Sequence, residues 1–180
     1  HELQNIYLTK NFNMRIHIIS IGGAVMHNIA IALKKQGHVI TGSDDEIYDP
    51  SRTRLLEAGL LPEKMGWSAD HISPELDFCI LGMHARAGNP EIDKAQSLDI
   101  PIYSYPEYVA KFAVDKLKIV VVGTVLIATT TSMIMHILKV AGQNFDYLVG
   151  AKLEGFDHMV KFSDAPIMIL EGDEYLSSAL

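Results

Sequence analysis

The sequence predicts an α/β fold of mostly parallel strands covered by helices on both faces. Three observations predict it. Short branched apolar runs alternate with stretches of helical periodicity along most of the chain, glycines separate the first such run from the first helix, and after Lys111–Lys118 the pattern starts again. Buried parallel strands read as continuous apolar runs, and joining them requires crossover helices.

Taken in order, Arg15 to Ile21 reads as a buried strand, Val25 to Gln36 as a helix closed by Gly37, and His38 to Gly42 as the second strand. A helix follows from Ser51 to Ala58, ended by Gly59, and Leu76 to Leu81 is the third strand. Asn89 as N-cap and Pro90 at the first helical position open a helix to Leu98. Ile102 to Ser104 is a short strand, and Pro106 opens another short helix. The second start comprises a strand from Ile119 to Val122, a turn at Gly123, a helix from about Thr130 to Val140, and strands at Asp146 to Val149 and Ile167 to Leu170. This divides the chain into an amino-terminal extension (1–13), a first α/β domain (14–115) and a second unit (116–180) that is short for an independent domain and reads as the truncated start of one.

Composition narrows the function classes. With 48% hydrophobic and 21% charged residues in 180, and only 7 prolines, the chain is neither disordered nor collagen-like. One cysteine, Cys79, inside an apolar run excludes a disulfide framework and a cysteine-built zinc site, and points to the cytoplasm. The net charge of -7 with unclustered bases argues against a nucleic-acid surface. Residues 1 to 13 lack the apolar core of a signal peptide. Ile119 to Leu138 contains no acid, lysine or arginine over about a bilayer's span. Thr129, Thr130, Thr131 and Ser132 in its middle favour strand, turn and helix, so no membrane span is expected.

The glycine turn Ser20-Ile21-Gly22-Gly23-Ala24-Val25-Met26 is the first candidate site. Glycines there let a phosphate approach the backbone, and the helix start favours its negative charge. Asp44 and Asp45 end the second strand, where a Rossmann-like unit places an acid on a ribose hydroxyl. Together they predict a nucleotide diphosphate site, although Ser20 and Val25 hold the outer glycine positions of G-x-G-x-x-G. A tight structural turn beside a solvated acid is the plainer reading. The loop Gly82 to Asn89, with His84 and Arg86, also follows a strand and is a candidate phosphate or sugar contact. The remaining histidines show no ligand-like spacing, and Trp67 and the methionines read as packing. The same glycine turn and acid fit an NAD(P)-binding oxidoreductase or NAD-sensing domain, which is the alternative function.

Three segments in order resemble the Mur ligase family, the ATP-dependent ligases of peptidoglycan-precursor synthesis. They are IGGAVMHNIAIALKKQGHVITGSD (Ile21–Asp44), GNPE (Gly88–Glu91), and the pair VVGTVLIATTTSM (Val121–Met133) and LEGDEY (Leu170–Tyr175). The resemblance implies that Gly22, Gly23, Ala24 and Met26 belong to a UDP-sugar site, with Ser43 and Asp44 on the nucleoside side and His84 a further contact. It implies a P-loop-type second domain in which Gly123, Thr124, Thr129 and Thr130 belong to an ATP loop and Glu171 holds Mg2+. The implied parent enzyme phosphorylates UDP-N-acetylmuramate with ATP and joins the acyl phosphate to L-alanine or to a tripeptide amine. A derived, non-catalytic interaction domain is a third possibility.

The chain departs from the family in the phosphate loop. Val125, Leu126, Ile127 and Ala128 stand where the family's GTHGKTTTTSM has histidine, glycine, lysine and threonine. That removes the charge, the tight anion cradle and the magnesium-ligating hydroxyl. The expectation is a fragment that binds UDP-sugar but not ATP, lacking the rest of the ligase after Leu180.

Overall fold

The computed structural model describes residues 13–83 and 88–172, which fold as two compact units dividing between Tyr108 and Val109. The first unit begins with β1 (Arg15–Ile19), α1 (Met26–Lys35) and β2 (Val39–Ser43). It continues through α2 (Ser51–Glu57), a 3-10 turn (Ala69–His71), β3 (Phe78–Leu81), α3 (Pro90–Ser97) and β4 (Ile102–Ser104). Its sheet has the order β2-β1-β3-β4, all parallel. The strands β1 and β3 lie in the interior of this sheet, with Ile16, Ile18 and Ile19 of β1 and Cys79 and Ile80 of β3 essentially fully buried.

Local chemistry sets the helix ends. At the end of α1 the Gly37 N–H donates to Lys34 O and the His38 N–H to Leu33 O, with Gly37 at φ 95. This pair of bonds is the Schellman closure that a glycine after the last turn permits. Gly59, at φ 62, closes α2 in the same way through Leu56 and Leu55 carbonyls. At the start of α3 the Asn89 side chain accepts the Glu91 N–H at 2.8 Å, as its place before Pro90 predicts. One side of the sheet holds a core of Ile19, Ile72, Cys79, Ala95 and Ile100, against which Trp67 and Leu81 pack. Burial pushes the Cys79 thiol up to about 12, leaving it a packing residue.

The first strand ends sooner than its apolar run. Ser20 turns into the left-handed region at φ 68, and the N–H groups of Ser20 and Ile21 both donate to Ser43 O. Ile21 therefore stays fully buried but leaves the ladder.

The helix α4 (Tyr105–Phe112) spans the division between the units. In the first unit Tyr108 stacks on Phe78, and in the second Phe112 packs on Phe162 at 4.5 Å between ring centroids. The second unit then contains β5 (Leu117–Val122), α5 (Ile127–Val140), β6 (Phe145–Leu148), β7 (Val160–Lys161) and β8 (Ile167–Gly172). Its sheet has the order β5-β8-β6-β7, parallel except for β7, a strand that the sequence pattern did not reveal. Met135 on α5 is fully buried against Phe145, Tyr147 and Ile169. On β6 the buried Asp146 accepts from Lys116 Nζ at 2.8 Å and from Ser163 Oγ at 2.6 Å. The same ammonium donates to Ser163 O and Ala165 O, so the buried charges are paired and saturated.

Helix α5 starts at Ile127 rather than near Thr130. Ile127 and Ala128 continue the helix toward its amino end, and the Thr130 N–H already bonds Leu126 O. No helix among the described residues is long and apolar enough to cross a membrane, and Ile119–Leu138 resolves into strand, turn and helix.

Candidate functional site

Parallel strands deliver their loops to one edge, and in the first unit the loops after β1 and β2 and the segment before α3 enclose a cavity of about 980 Å³. Gly22, Gly23 and Ala24 line it from the first loop, and Asp44 from the end of β2. Asn89 and Pro90 close a further side.

The hydrogen bonds of the turn show how each glycine acts. The Gly22 N–H donates to Asp44 Oδ2 at 2.7 Å, and the Gly23 N–H to Ser20 O at 3.3 Å. Both donors are thus used within the protein. Their contribution is space: a Cβ on Gly22 would lie 2.8 Å from Asp44 Oδ2 and 2.8 Å from Ile47 Cγ1. Ser20, in the first glycine position of the dinucleotide fingerprint, adopts the left-handed conformation that glycine usually supplies there.

Asp44 is only 6% exposed. Burial pushes its carboxyl up to about 6 against the bond from Gly22, and neighbouring Asp45 adds to the rise. His27, at the start of α1, donates from Nδ1 to Gly23 O at 2.8 Å, and Nδ1 lies 3.0 Å from Ser51 Oγ, joining α1 to α2 beneath the cavity. Burial lowers its pKa, and Arg54 adds to this, so the ring is neutral near pH 7.

Two of the expected site residues stand behind the wall. Met26 is 4% exposed and Ser43 fully buried, and neither lines the cavity. His84, with Arg86, lies outside the described residues. Conversely, Trp67, expected only to pack, both packs on the α3 core and lines the cavity, beside the exposed Tyr48.

The Ser43 hydroxyl leads to a group that sequence spacing did not reveal. It donates to Glu91 Oε2 at 2.5 Å. The fully buried Glu91 carboxylate also accepts from His71 Nδ1 at 2.7 Å and from the Ser68 N–H at 3.2 Å, both at Oε1. His17 Nε2 faces Oε2 at 3.4 Å, while its Nδ1 meets Thr41 Oγ1 at 2.8 Å. Nε2 faces a carboxylate, so it carries the proton. Among the described residues, donor atoms of His17, His71 and Glu91 lie within 4.8 Å of one another, each already engaged in hydrogen bonds. Burial by itself would raise the Glu91 carboxyl. The bonds from His17, Ser43, His71 and Ser68 outweigh it and hold the group down at about 2.

The second unit carries the ATP-loop candidates. Gly123 and Thr124 follow β5, and Thr129 and Thr130 are exposed near the start of α5. Glu171 pairs with Val121 across β8 and β5, which places it at the same sheet end from which the loop departs. Its Oε2 accepts the Gly150 N–H at 2.7 Å, and its Oε1 is buried with no partner among the described residues. An orphaned buried carboxylate oxygen suits a cation. The loop itself does not suit a triphosphate. Leu126, at the family's glycine position, has a left-handed backbone (φ 59) and exposes 70% of its surface, and Val125 exposes 75%. Ile127 and Ala128 supply neither charge nor hydroxyl, so Mg-ATP does not fit here in the loop's usual way. Asp173 and Glu174 lie outside the described residues.

Residues 15–116 match the Mur ligase family, catalytic domain. The chain is 31% identical over 163 residues to the UDP-N-acetylmuramate-L-alanyl-gamma-D-glutamyl-meso-2,6-diaminoheptandioate ligase of Escherichia coli (strain K12), covering 90% of this chain and 35% of the relative. It is 33% identical over 161 residues to the UDP-N-acetylmuramate-L-alanine ligase of Rubrobacter xylanophilus, covering 89% and 35%. The fold is similar to the UDP-N-acetylmuramate:L-alanyl-gamma-D-glutamyl-meso-diaminopimelate ligase from Neisseria meningitides, with TM-score 0.78, 27% identity, and coverage of 91% of this chain and 54% of that one. It is also similar to the UDP-N-acetylmuramate-alanine ligase of Thermotoga maritima, with TM-score 0.71, 27% identity, and coverage of 88% and 37%. The chain spans about a third of the length of the curated relatives it matches, 35% in both cases.

Proposed function

The chain belongs to the Mur ligase family, and from that premise we propose that it is the amino-terminal part of a peptidoglycan-precursor ligase whose first unit binds UDP-N-acetylmuramate. The observation that carries this reading is the cavity at the loop edge of the all-parallel sheet, walled by the Gly22–Ala24 turn and Asp44. In it the start of α1 faces the pyrophosphate. The Gly22 and Gly23 amides are already bonded to Asp44 and Ser20, so the Ala24 and Val25 amides and the helix dipole meet the anion. Asp44 faces the ribose hydroxyls, and His84 remains part of the proposed sugar-side contacts. Met26 and Ser43 support the wall from behind.

In the whole protein the bound muramate carboxyl becomes an amide with L-alanine or with a tripeptide, the amines named for the two kinds of relative. Glu171 is the proposed Mg2+ ligand of the second unit. The loop Gly123-Thr124-Val125-Leu126-Ile127-Ala128 does not bind ATP in this chain, so the chain by itself is inactive as a ligase. Nothing in the comparisons favours an NAD(P)-dependent oxidoreductase. Titration with UDP-N-acetylmuramate is expected to shift the amide resonances of Gly22 to Met26, with NADH leaving them in place. Saturating UDP-N-acetylmuramate without movement of those signals rejects the assignment.

A further inference from the structure

Three wall segments of the cavity have one acceptor in common. Ser43 precedes Asp44, Ser68 follows Trp67, and Glu91 follows Asn89 and Pro90. Asp44, Trp67, Asn89 and Pro90 all line the cavity. Glu91 takes the hydroxyl of Ser43 on one carboxylate oxygen, and the Ser68 amide and His71 imidazole on the other. Its own N–H is held by the Asn89 side chain. The ties from Ser43, Ser68 and Asn89 are therefore each made at or next to a position on the wall.

We propose that Glu91 is a positioning residue for the nucleotide-sugar cavity, fixing the end of β2, the Trp67 segment and the start of α3 relative to one another without touching the ligand. This rests on the UDP-sugar reading above. The charge is suited to the task because a carboxylate accepts several bonds at once, and here it accepts from separate pieces of chain. A buried apolar residue would fill the same space without orienting the loops. The bonds to Glu91 hold its carboxyl well below its ordinary range, so it is ionised near neutral pH and the ties hold there. His71 is the accessible end of the network, with 36% of its side chain exposed.

Glu91→Gln keeps the shape and turns one acceptor oxygen into a donor that opposes a donor. Calorimetric titration of the 180-residue chain with UDP-N-acetylmuramate is expected to show about tenfold weaker binding, the equivalent of one lost hydrogen bond. The chain's single tryptophan is Trp67, so its emission should shift in the ligand-free variant while the far-ultraviolet circular dichroism stays unchanged. His71→Ala cuts the same network from its accessible side. It should shift Trp67 emission and weaken binding several-fold in a chain that folds, and it decides the matter if Glu91→Gln does not fold. Ser43→Ala should weaken binding in the wild-type background and add little on top of Glu91→Gln. Folded variants with unchanged affinity and unchanged Trp67 emission overturn the proposal. If the wild type fails to bind UDP-N-acetylmuramate, the functional reading falls. Trp67 emission in the two variants then still decides whether Glu91 positions the wall.

Discussion

Asp44 shows at the scale of one residue how the site sets local energetics. Its carboxyl, pushed from 3.8 to about 6 chiefly by burial, is more easily ionised in the unfolded chain than in the folded one. The sign follows directly. Below pH 3.8 the group is neutral in both states; as pH rises from there to 6 the unfolded chain ionises first and stability falls, by up to about 3 kcal/mol for a shift of this size, with no further change above 6. Asp44→Asn removes that opposition while leaving an oxygen for the Gly22 N–H. Its stability relative to the wild type is expected to improve by about 2–3 kcal/mol between pH 4 and pH 8 in urea denaturation. A difference that does not change with pH contradicts the assignment. Glu91 behaves in the opposite sense. Held at about 2, it stabilises the fold above its ordinary value of 4.5, and that contribution is lost only as pH falls from there through 2.

At the scale of an element, α5 begins from a left-handed residue that carries a bulky side chain. The residue before its first turn, Leu126, is left-handed at φ 59, a conformation that costs a branched residue about 1–2 kcal/mol. Because the side chain is 70% exposed, little packing offsets this. Leu126→Gly should raise stability by about 0.5–1 kcal/mol, the relief of strain exceeding the extra entropy of glycine in the unfolded chain. Chemical denaturation measures it, and a loss of stability would show that Leu126 contributes contacts that outweigh the strain. The boundaries of α5 explain why threonine composition misplaced its start. Thr131 returns its hydroxyl to Ile127 O at 2.9 Å, which lets a threonine-rich segment lie inside a helix. The short β7 leaves no signal in the sequence because two residues, Val160 and Lys161, carry no period.

At the scale of the whole molecule the two units make separate predictions. A ligand of the folded state raises the unfolding midpoint in proportion to the logarithm of its concentration over its dissociation constant. UDP-N-acetylmuramate at about 100 times its dissociation constant should add about 2.7 kcal/mol to the stability of the unit that binds it. Mg-ATP at the same concentration should leave both units unchanged in differential scanning calorimetry. A magnesium-dependent rise with ATP would show that the second unit binds the nucleotide despite Val125, Leu126, Ile127 and Ala128.

The parallel α/β class, nearly every element, the closures at Gly37 and Gly59, the Asn89 cap and the family are all legible in the residues, because these depend on period and on residues close together in the chain. The sequence also placed Gly22, Gly23, Ala24 and Asp44 in one candidate site, since a glycine turn and an acid at the next strand end share one sheet edge. The tertiary structure decided which amides of the turn are already used, that Met26 and Ser43 stand behind the wall, and that Trp67 belongs to the cavity as well as the core. Only the fold could bring His17, Ser43, Ser68 and His71 onto Glu91, with His17 and Glu91 74 residues apart in the chain. Such a cluster is made by strand order and loop packing rather than by spacing, and neither is written in any local stretch of residues.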